Sequence, residues 1–396
     1  MLRNITVGID IGTSQVKVVV AELTRNSNGE GKQVPKILGT GLAESKGMRH
    51  GYILNGSDVT NSINMAVRMA EKNSGVKISK AYVSVGGIGL SSITAVGNTI
   101  VSRADSQITE LDIEKASSHC ENNIPGNIIQ NQKILHSIPL SYKIDGKQVL
   151  SKSPLDMKGT KLEIKMLFIT YLEPHLNDLL QAVDETGIDV IDVMASPIAA
   201  SFVTLSKQQK VAGCVLANIG SETMSIAVFE NNIPVSLEIF PIGGTDITND
   251  IALGLKIPLE EAENVKIGAI GTGNYPKKKL EEIVSARLTD MFELIENHLK
   301  KIGRNGLLPA GIFIIGGSAG INSIEDFAKA SLKLPSRIAE ITLNGEKSSL
   351  KDCTWAVAYG LCVVGFSKEE KTNLGIRNTG HKVLGKIFNW VKQFLP

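Results

Sequence analysis

Apolar and polar positions alternate along the chain in short β-branched runs separated by polar turns, and the same order of runs occurs twice. Residues 5–9 and 15–21 read as neighbouring strands, with a third near 36–43 after the polar stretch TRNSNGEGK at 24–32. Ser57 and Asp58 then open a helical pattern of Val59, Ile63, Ala66, Val67 and Ala70 that stops at Asn73, Ser74 and Gly75. The strand AYVSV follows at 81–85. The predicted order is strand, strand, strand, helix, strand. In the second half VLANI, MSIAVF and VSLEIF (235–240) are three strands in a row, and a helix begins around Thr245. That half repeats the order of the first.

Two segments interrupt the repeat. Between the halves, ITAVGNTIV, a helical pattern around TELDIEKASSHC, then KILHSIPLSYKID and KLEIKMLFIT predict a small strand-rich insert with one helix, bounded at about 86–165. Inside the second half, residues 259–301 are rich in Glu and Lys with amphipathic periodicity and read as a second, helical insert. FIIGGSAGI (313–321) is a buried strand running into Gly316, Gly317 and Ser318 and then a helix.

The chain closes with a polar linker at 367–380 and the segment HKVLGKIFNWVKQFLP. At about 100° per residue Val383, Leu384, Ile387, Phe388, Trp390, Val391, Phe394 and Leu395 share one arc of roughly 160°. Lys382, Lys386 and Lys392, with uncharged neighbours, fill the rest. A terminal amphipathic helix commonly docks on its own domain. Here the flexible linker, the basic or neutral polar face and the mixture of Trp, Phe and Leu favour a helix lying in a membrane interface.

Composition adds the setting. With 396 residues, 42% apolar and 21% charged, the chain is long enough for two or more domains with large cores. A net charge of +2 leaves no whole-chain footprint of nucleic-acid binding. Cys120, Cys214, Cys353 and Cys362 are scattered without a CxxC pair, which predicts buried thiols in a reducing cytosol. No secretion signal is expected. The longest apolar run, 355–366, is too short to span a bilayer, so no transmembrane segment is expected either.

The chemistry sits in the repeat. VGIDIGTSQVKVVV (7–20) places Asp10, Gly12, Thr13 and Ser14 in a turn between two strands, and VLANIGSETMSIAVF (215–229) sets Asn218, Gly220, Ser221 and Glu222 under them. One Asp-x-Gly-Thr is an ordinary hairpin turn. Two on related halves build a clamp across a cleft. Backbone amides of Gly12, Thr13 and Ser14 can converge on an anion. Asp10 can hold water on a Mg²⁺ that bridges phosphates, and Lys17 can add a point charge on the β- or γ-phosphate. Gly316 and Gly317 let a flat base pack against backbone. Glu263 and Lys266, three apart on a helix, either hydrogen-bond a ribose or form a solvated surface pair.

The order of two phosphate turns followed by IIGGSAGI resembles the actin and Hsp70 ATPase superfamily, and within it the insert and tail resemble the FtsA family. YVSVGGIGLSS (82–92), EIFPIGGTDITNDIA (238–252) and WAVAYGL (355–361) are similar to that family as well, so the resemblance covers essentially the whole chain. It implies an α/β, two-lobed actin-like fold with an FtsA-type inserted subdomain. The first lobe is then 1–85 and 166–205 with a closing helix at 351–366, and the insert is 86–165. The second lobe is 206–244 and 310–350, the helical subdomain 245–309, the linker 367–380 and the membrane-targeting helix 381–396.

By the same resemblance the chain is a bacterial cell division protein that binds ATP and Mg²⁺ and polymerises with itself. It binds the C-terminal peptide of FtsZ and tethers the division ring, as a peripheral protein, to anionic inner-leaflet lipids on the cytoplasmic side of the inner membrane. Other division proteins dock on the insert, and nucleic acid is not a partner. Asp10, Gly12, Thr13, Ser14 and Lys17 match the first phosphate motif, Gly316 and Gly317 the adenosine motif, and Glu263 and Lys266 the helix beside the ribose. Arg287 takes the family's arginine position toward FtsZ, with Lys300, Lys301 and Arg304 as further cations; their plain reading is exposed charge on an amphipathic helix.

The second phosphate motif departs from the family pattern. Asn218 replaces the usual acidic residue, so hydrolysis should suffer more than binding and turnover should be very slow or absent. Glu222 either points into the cleft against the phosphates or out to solvent. Two rival readings are a PilM-like peptide-binding module of pilus assembly, which needs no terminal anchor, and a sugar kinase, which needs a catalytic aspartate aimed at a sugar hydroxyl.

Overall fold

The computed structural model describes residues 3–25, 33–151, 153–268, 275–343, 346–347 and 352–373. The expected membrane helix at 381–396, with all its named lipid-facing residues and lysines, lies outside the described residues.

The first lobe opens with β1 (Ile5–Ile11), β2 (Gln15–Arg25) and β3 (Gln33–Glu44), the short β4 (Met48–Arg49) and β5 (Tyr52–Ile53), α1 (Gly56–Ser74) and β6 (Lys80–Val85). The helix starts one residue before the expected Ser57 because Asn55 caps it, its side chain accepting the Asp58 N–H, and it ends at Gly75 in the left-handed conformation. The insert follows as β7 (Leu90–Ile100), α2 (Glu110–Asn122), α3 (Gly126–Ile129), β8 (Gln132–Ile144), β9 (Lys147–Val149) and β10 (Lys161–Leu172). Position 165, the expected end of the insert, falls inside β10, which runs on unbroken to Leu172. The chain then returns to the first lobe with α4 (Glu173–Asp184), β11 (Asp189–Ala195) and α5 (Ser196–Thr204).

After α6 (Lys207–Ala212) the second lobe holds β12 (Cys214–Ile219), β13 (Met224–Glu230) and β14 (Ile233–Phe240), with α7 (Gly244–Leu255), α8 (Leu259–Lys266) and α9 (Lys277–Lys301). It continues through β15 (Gly311–Ile315), a 3-10 turn (Gly317–Gly320), α10 (Ile324–Leu332), β16 (Ser336–Ile338) and the small hairpin of β17 (Thr342–Leu343) and β18 (Glu346–Lys347). A second 3-10 turn (Cys353–Trp355) leads into α11 (Ala356–Asn373). This helix continues through the start of the expected linker, where Lys and Glu are good helix formers.

The duplication read from the turns extends to both sheets. Strand order is β3-β2-β1-β6-β11 in the first lobe and β14-β13-β12-β15-β16 in the second, with matching antiparallel and parallel pairs. Even an irregularity is repeated. The β2–β3 ladder shifts register between Val20 and Ala21, and the β13–β14 ladder between Val228 and Phe229, the positions that align when Asp10 is set on Asn218.

Apolar burial binds the parts. One core cluster spans the first lobe and α11 and takes in Leu216, Phe229 and Phe313 of the second; another joins the second lobe to α7, α8 and α9. A third, with Phe168, Ile113 and Cys120, fills the space between the insert's four-stranded sheet and α2. Cys120, Cys214 and Cys362 are buried free thiols, and Cys353 is partly buried. Among the described residues no helix is long and apolar enough to cross a membrane.

Candidate functional site

A cleft of about 680 Å³ opens between the lobes, at the strand ends where the two turns face each other. Asp10, Gly12, Thr13, Ser14 and Lys17 line it from the first lobe, and Asn218, Gly220, Ser221, Glu263, Lys266, Gly316 and Gly317 from the second. Residues picked from four separated stretches of sequence therefore share one cavity.

The two turns have the same internal geometry. The Gly12 N–H donates to the Gln15 carbonyl at 3.1 Å, and the aligned Gly220 N–H to the Thr223 carbonyl at 2.9 Å. Asp10 near the end of β1 stands across the ladder from Lys17, and its carboxylate accepts the Ser84 hydroxyl at 2.7 Å. Burial pushes the Asp10 carboxyl above its ordinary range, against the pull of Ser84 and Lys17. Burial also lowers the Lys17 ammonium, which Asp10 and Asp352 oppose.

In the second lobe the turns are stacked on each other. Gly316 has φ 95, and a Cβ there would lie 2.5 Å from Asn218 Oδ1 and 2.4 Å from the Ile219 carbonyl, so no larger residue fits without displacement. The N-terminus of α7 closes on the phosphate turn, with the Gly244 N–H on the Gly220 carbonyl at 2.9 Å and the Thr245 N–H on that of Ser221 at 2.7 Å.

Glu263 and Lys266 are not a solvated surface pair. Lys266 is 9% exposed and its ammonium reaches Glu263 Oε2 at 2.7 Å, Thr248 Oγ1 at 2.9 Å and the Gly244 carbonyl at 3.0 Å. These three acceptors match the three donors of a lysine. Glu263 is 46% exposed, whereas Lys266 holds α8 on α7.

Neither orientation expected for Glu222 occurs. Its carboxylate accepts the backbone N–H of His50, in the other lobe, at 2.5 Å, and it does not line the cavity. Three of the four cations assigned to a partner peptide, Arg287, Lys300 and Arg304, are also engaged within the chain. Arg287 makes a two-pronged bond to Asp250 on α7, at 2.6 and 3.0 Å, and lies 3.6 Å from Asp290. Lys300 pairs with Glu296 at 2.8 Å, and Arg304 with Glu230 at 2.6 Å. Arg287 and Lys300 are about 20 Å apart along α9 by helical rise, so the three cations do not form one patch.

Gly51, Gly86, Gly87, Ser196, Ser225, Cys353 and Thr354 also line the cleft, though sequence reasoning assigned none of them. A signal existed for Gly86 and Gly87, since they end a strand that the β, β, β, α, β order sets beside β1. No group of three His, Cys, Asp or Glu among the described residues is arranged to hold a metal ion. Asp10 is, among the described residues, the one acidic side chain that the first lobe brings to the cleft, a donor set that fits a Mg²⁺ held mainly by phosphate oxygens and water.

Comparison with known proteins decides the family. The chain is 30% identical to the cell division protein FtsA of Bacillus subtilis over 84% of its own length and 78% of that protein. It belongs to the FtsA family. The family model "Cell division protein FtsA" matches residues 215–360, and "SHS2 domain inserted in FTSA" matches 88–170. FtsA of Pseudomonas aeruginosa is 28% identical over 98% of this chain and 97% of its own.

Solved structures agree on the fold. The PilM–PilN type IV pilus biogenesis complex superposes with a TM-score of 0.66 at 16% identity, covering 91% of this chain and 98% of that one. MreB5 of Spiroplasma citri bound to ADP gives 0.53 at 13% identity, covering 94% and 99%. The fold of this FtsA-family chain is thus the actin-like one, and the likeness to PilM is of architecture alone. Membership in a family of cell division proteins leaves the PilM-like reading the weaker alternative.

Proposed function

We propose that this FtsA-family chain is an ATP-held scaffold of bacterial cell division, which polymerises and tethers the FtsZ ring to the cytoplasmic face of the inner membrane. One observation carries the reading: both phosphate turns and the adenosine turn line a single cleft between duplicated lobes. Asp10 would hold the water shell of Mg²⁺, Lys17 and the turn amides would take the phosphates, and Glu263 a ribose hydroxyl. Gly316 and Gly317 would lie flat against the base.

Turnover is weak or absent in this reading, because Asn218 supplies no second carboxylate to attract a proton. The FtsZ peptide docks on the helical subdomain of α7, α8 and α9, and the 381–396 helix holds the filament on anionic lipid. A single short helix binds reversibly, so polymerisation supplies avidity by presenting many helices to one surface.

The test joins nucleotide, lipid and polymer. Calorimetric titration of the full chain with ATP and Mg²⁺ should give saturable binding that Asp10→Ala removes. Filaments on a negatively stained lipid monolayer, with co-sedimentation on anionic liposomes that is lost in a chain ending at residue 380, complete the expected result. Saturable ATP binding with liposome binding retained after truncation rejects the tether. No binding of ATP rejects the scaffold reading at its base.

A further inference from the structure

Glu222 stands in the turn between β12 and β13, and its side chain has a specific destination. Its Oε2 accepts the His50 backbone N–H at 2.5 Å, while its own carbonyl oxygen lies 3.1 Å from His50 Nδ1. The two residues are 172 positions apart and belong to different lobes. One residue of the second phosphate turn thus grips one residue of the first lobe with both its side chain and its backbone.

The first-lobe end of this contact is a firm anchor. His50 has φ 48, a left-handed conformation unfavourable for a residue with a Cβ, and Gly51 follows with φ 87. The His50 carbonyl accepts the Ile88 N–H at 3.0 Å. Gly51 lies against Gly87 so closely that a Cβ on it would come within 2.5 Å of the Gly87 Cα. The Tyr171 hydroxyl, at the foot of the insert's sheet, donates to the Gly86 carbonyl at 3.2 Å and approaches that of Gly51 at 3.5 Å. Gly51, Gly86 and Gly87 all line the cleft. A charged acceptor on a main-chain N–H is among the stronger hydrogen bonds, and here it joins the two lobes next to Gly51 and Ser221, which both line the cleft.

We propose that Glu222 and His50 form a latch that holds the lobes closed across the cleft, making Glu222 a positioning residue for the second phosphate turn that slows the escape of bound nucleotide. The latch rests on the nucleotide reading only for its effect on release; lobe closure itself needs no ligand. A glycine at 222 carries no side chain with which to make the side-chain bond, so lobe closure would then depend on the ligand. The carboxylate at 222 thereby turns a flexible phosphate loop into a fixed wall.

Two readouts on the full chain separate the latch from the nucleotide site. Amide hydrogen exchange at His50, followed without nucleotide in wild type, Glu222→Gln and Glu222→Gly, reports the contact directly. Dissociation of a fluorescent ATP analogue, chased with excess ATP in the presence of Mg²⁺, reports the gate. The expected result is faster His50 exchange and release about tenfold faster in Glu222→Gly, the order of one charge-assisted hydrogen bond, with Glu222→Gln between it and wild type. Unchanged His50 exchange in both variants overturns the latch whatever the nucleotide does. Faster exchange with unchanged release overturns the gate. Failure of wild type itself to bind the analogue is a failure of the nucleotide reading, and His50 exchange then decides lobe closure alone.

Discussion

Lys17 stands directly across the β1–β2 ladder from Asp10, and both half-buried side chains line the cleft. A carboxylate whose folded pKa is raised weighs against the fold once it ionises: stability is full below the unfolded pKa and falls as pH rises through the folded one. At neutral pH Asp10 is therefore kept for its chemistry rather than its packing. Asp10→Asn should raise the melting temperature at pH 7 while weakening Mg²⁺-dependent ATP binding about tenfold or more, the scale of one hydrogen bond to a charged group. Thermal denaturation and titration calorimetry on one preparation read both signs, and a loss of stability together with unchanged affinity contradicts the assignment.

Asn218 aligns with Asp10 but carries an amide, and its Oδ1 faces the Gly316 backbone. Restoring a carboxylate there adds a group able to attract a proton from water near the terminal phosphate, and a positioned base contributes about 10²–10⁴ in rate when its geometry is right. Asn218→Asp should therefore release phosphate at least about tenfold faster than wild type. Equal release in the two proteins would mean that the missing acid is not what limits turnover.

The fold was legible in the sequence wherever a local period or a repeated motif carried it. The two β-branched hairpins declare themselves because Gly12 and Gly220 sit at the same place in the same pattern, and the two turns that line the cleft follow from them. Pairings between distant segments were not legible. Nothing near Glu222 in the sequence points to His50, and nothing near Arg287 points to Asp250 on another helix. For Glu263 and Lys266 the i,i+3 spacing was visible, but the packing of α8 on α7 that buries the lysine is a tertiary fact.

Asp112 fastens α2 to the end of β7 in the insert. Its carboxylate accepts the Ser102 N–H and hydroxyl at 3.0 and 2.7 Å, and those of Thr109 at 2.9 and 2.7 Å, completing a capping box. Burial by itself raises this carboxyl, but the four hydrogen bonds outweigh it and hold it down at about 2. Because the folded pKa is depressed, the contribution is present above the unfolded pKa, near 3.9, and is lost as pH falls from there toward 2. Asp112→Ala should destabilise the insert by about 1–2 kcal/mol at pH 7, and much less at pH 2.5. Amide exchange of α2 at the two pH values checks the difference; an equal effect at both rules out the ionised cap.

Arg287 clamps α9 to α7 through Asp250, so its replacement has two separable consequences. Arg287→Glu puts a third carboxylate beside Asp250 and Asp290, which removes a partly buried ion pair and adds repulsion. The helical subdomain should then lose about 1–3 kcal/mol and an acidic peptide such as the FtsZ C-terminus should bind more weakly. Stability loss alone would weaken binding as well, which is why the reciprocal pair decides. In Arg287→Asp with Asp250→Arg the ion pair is restored with its charges exchanged. Recovery of the melting temperature without recovery of peptide affinity in fluorescence anisotropy assigns Arg287 a direct contact. Recovery of both makes the arginine a clamp only, and the peptide must then be held by other side chains of α7, α8 and α9.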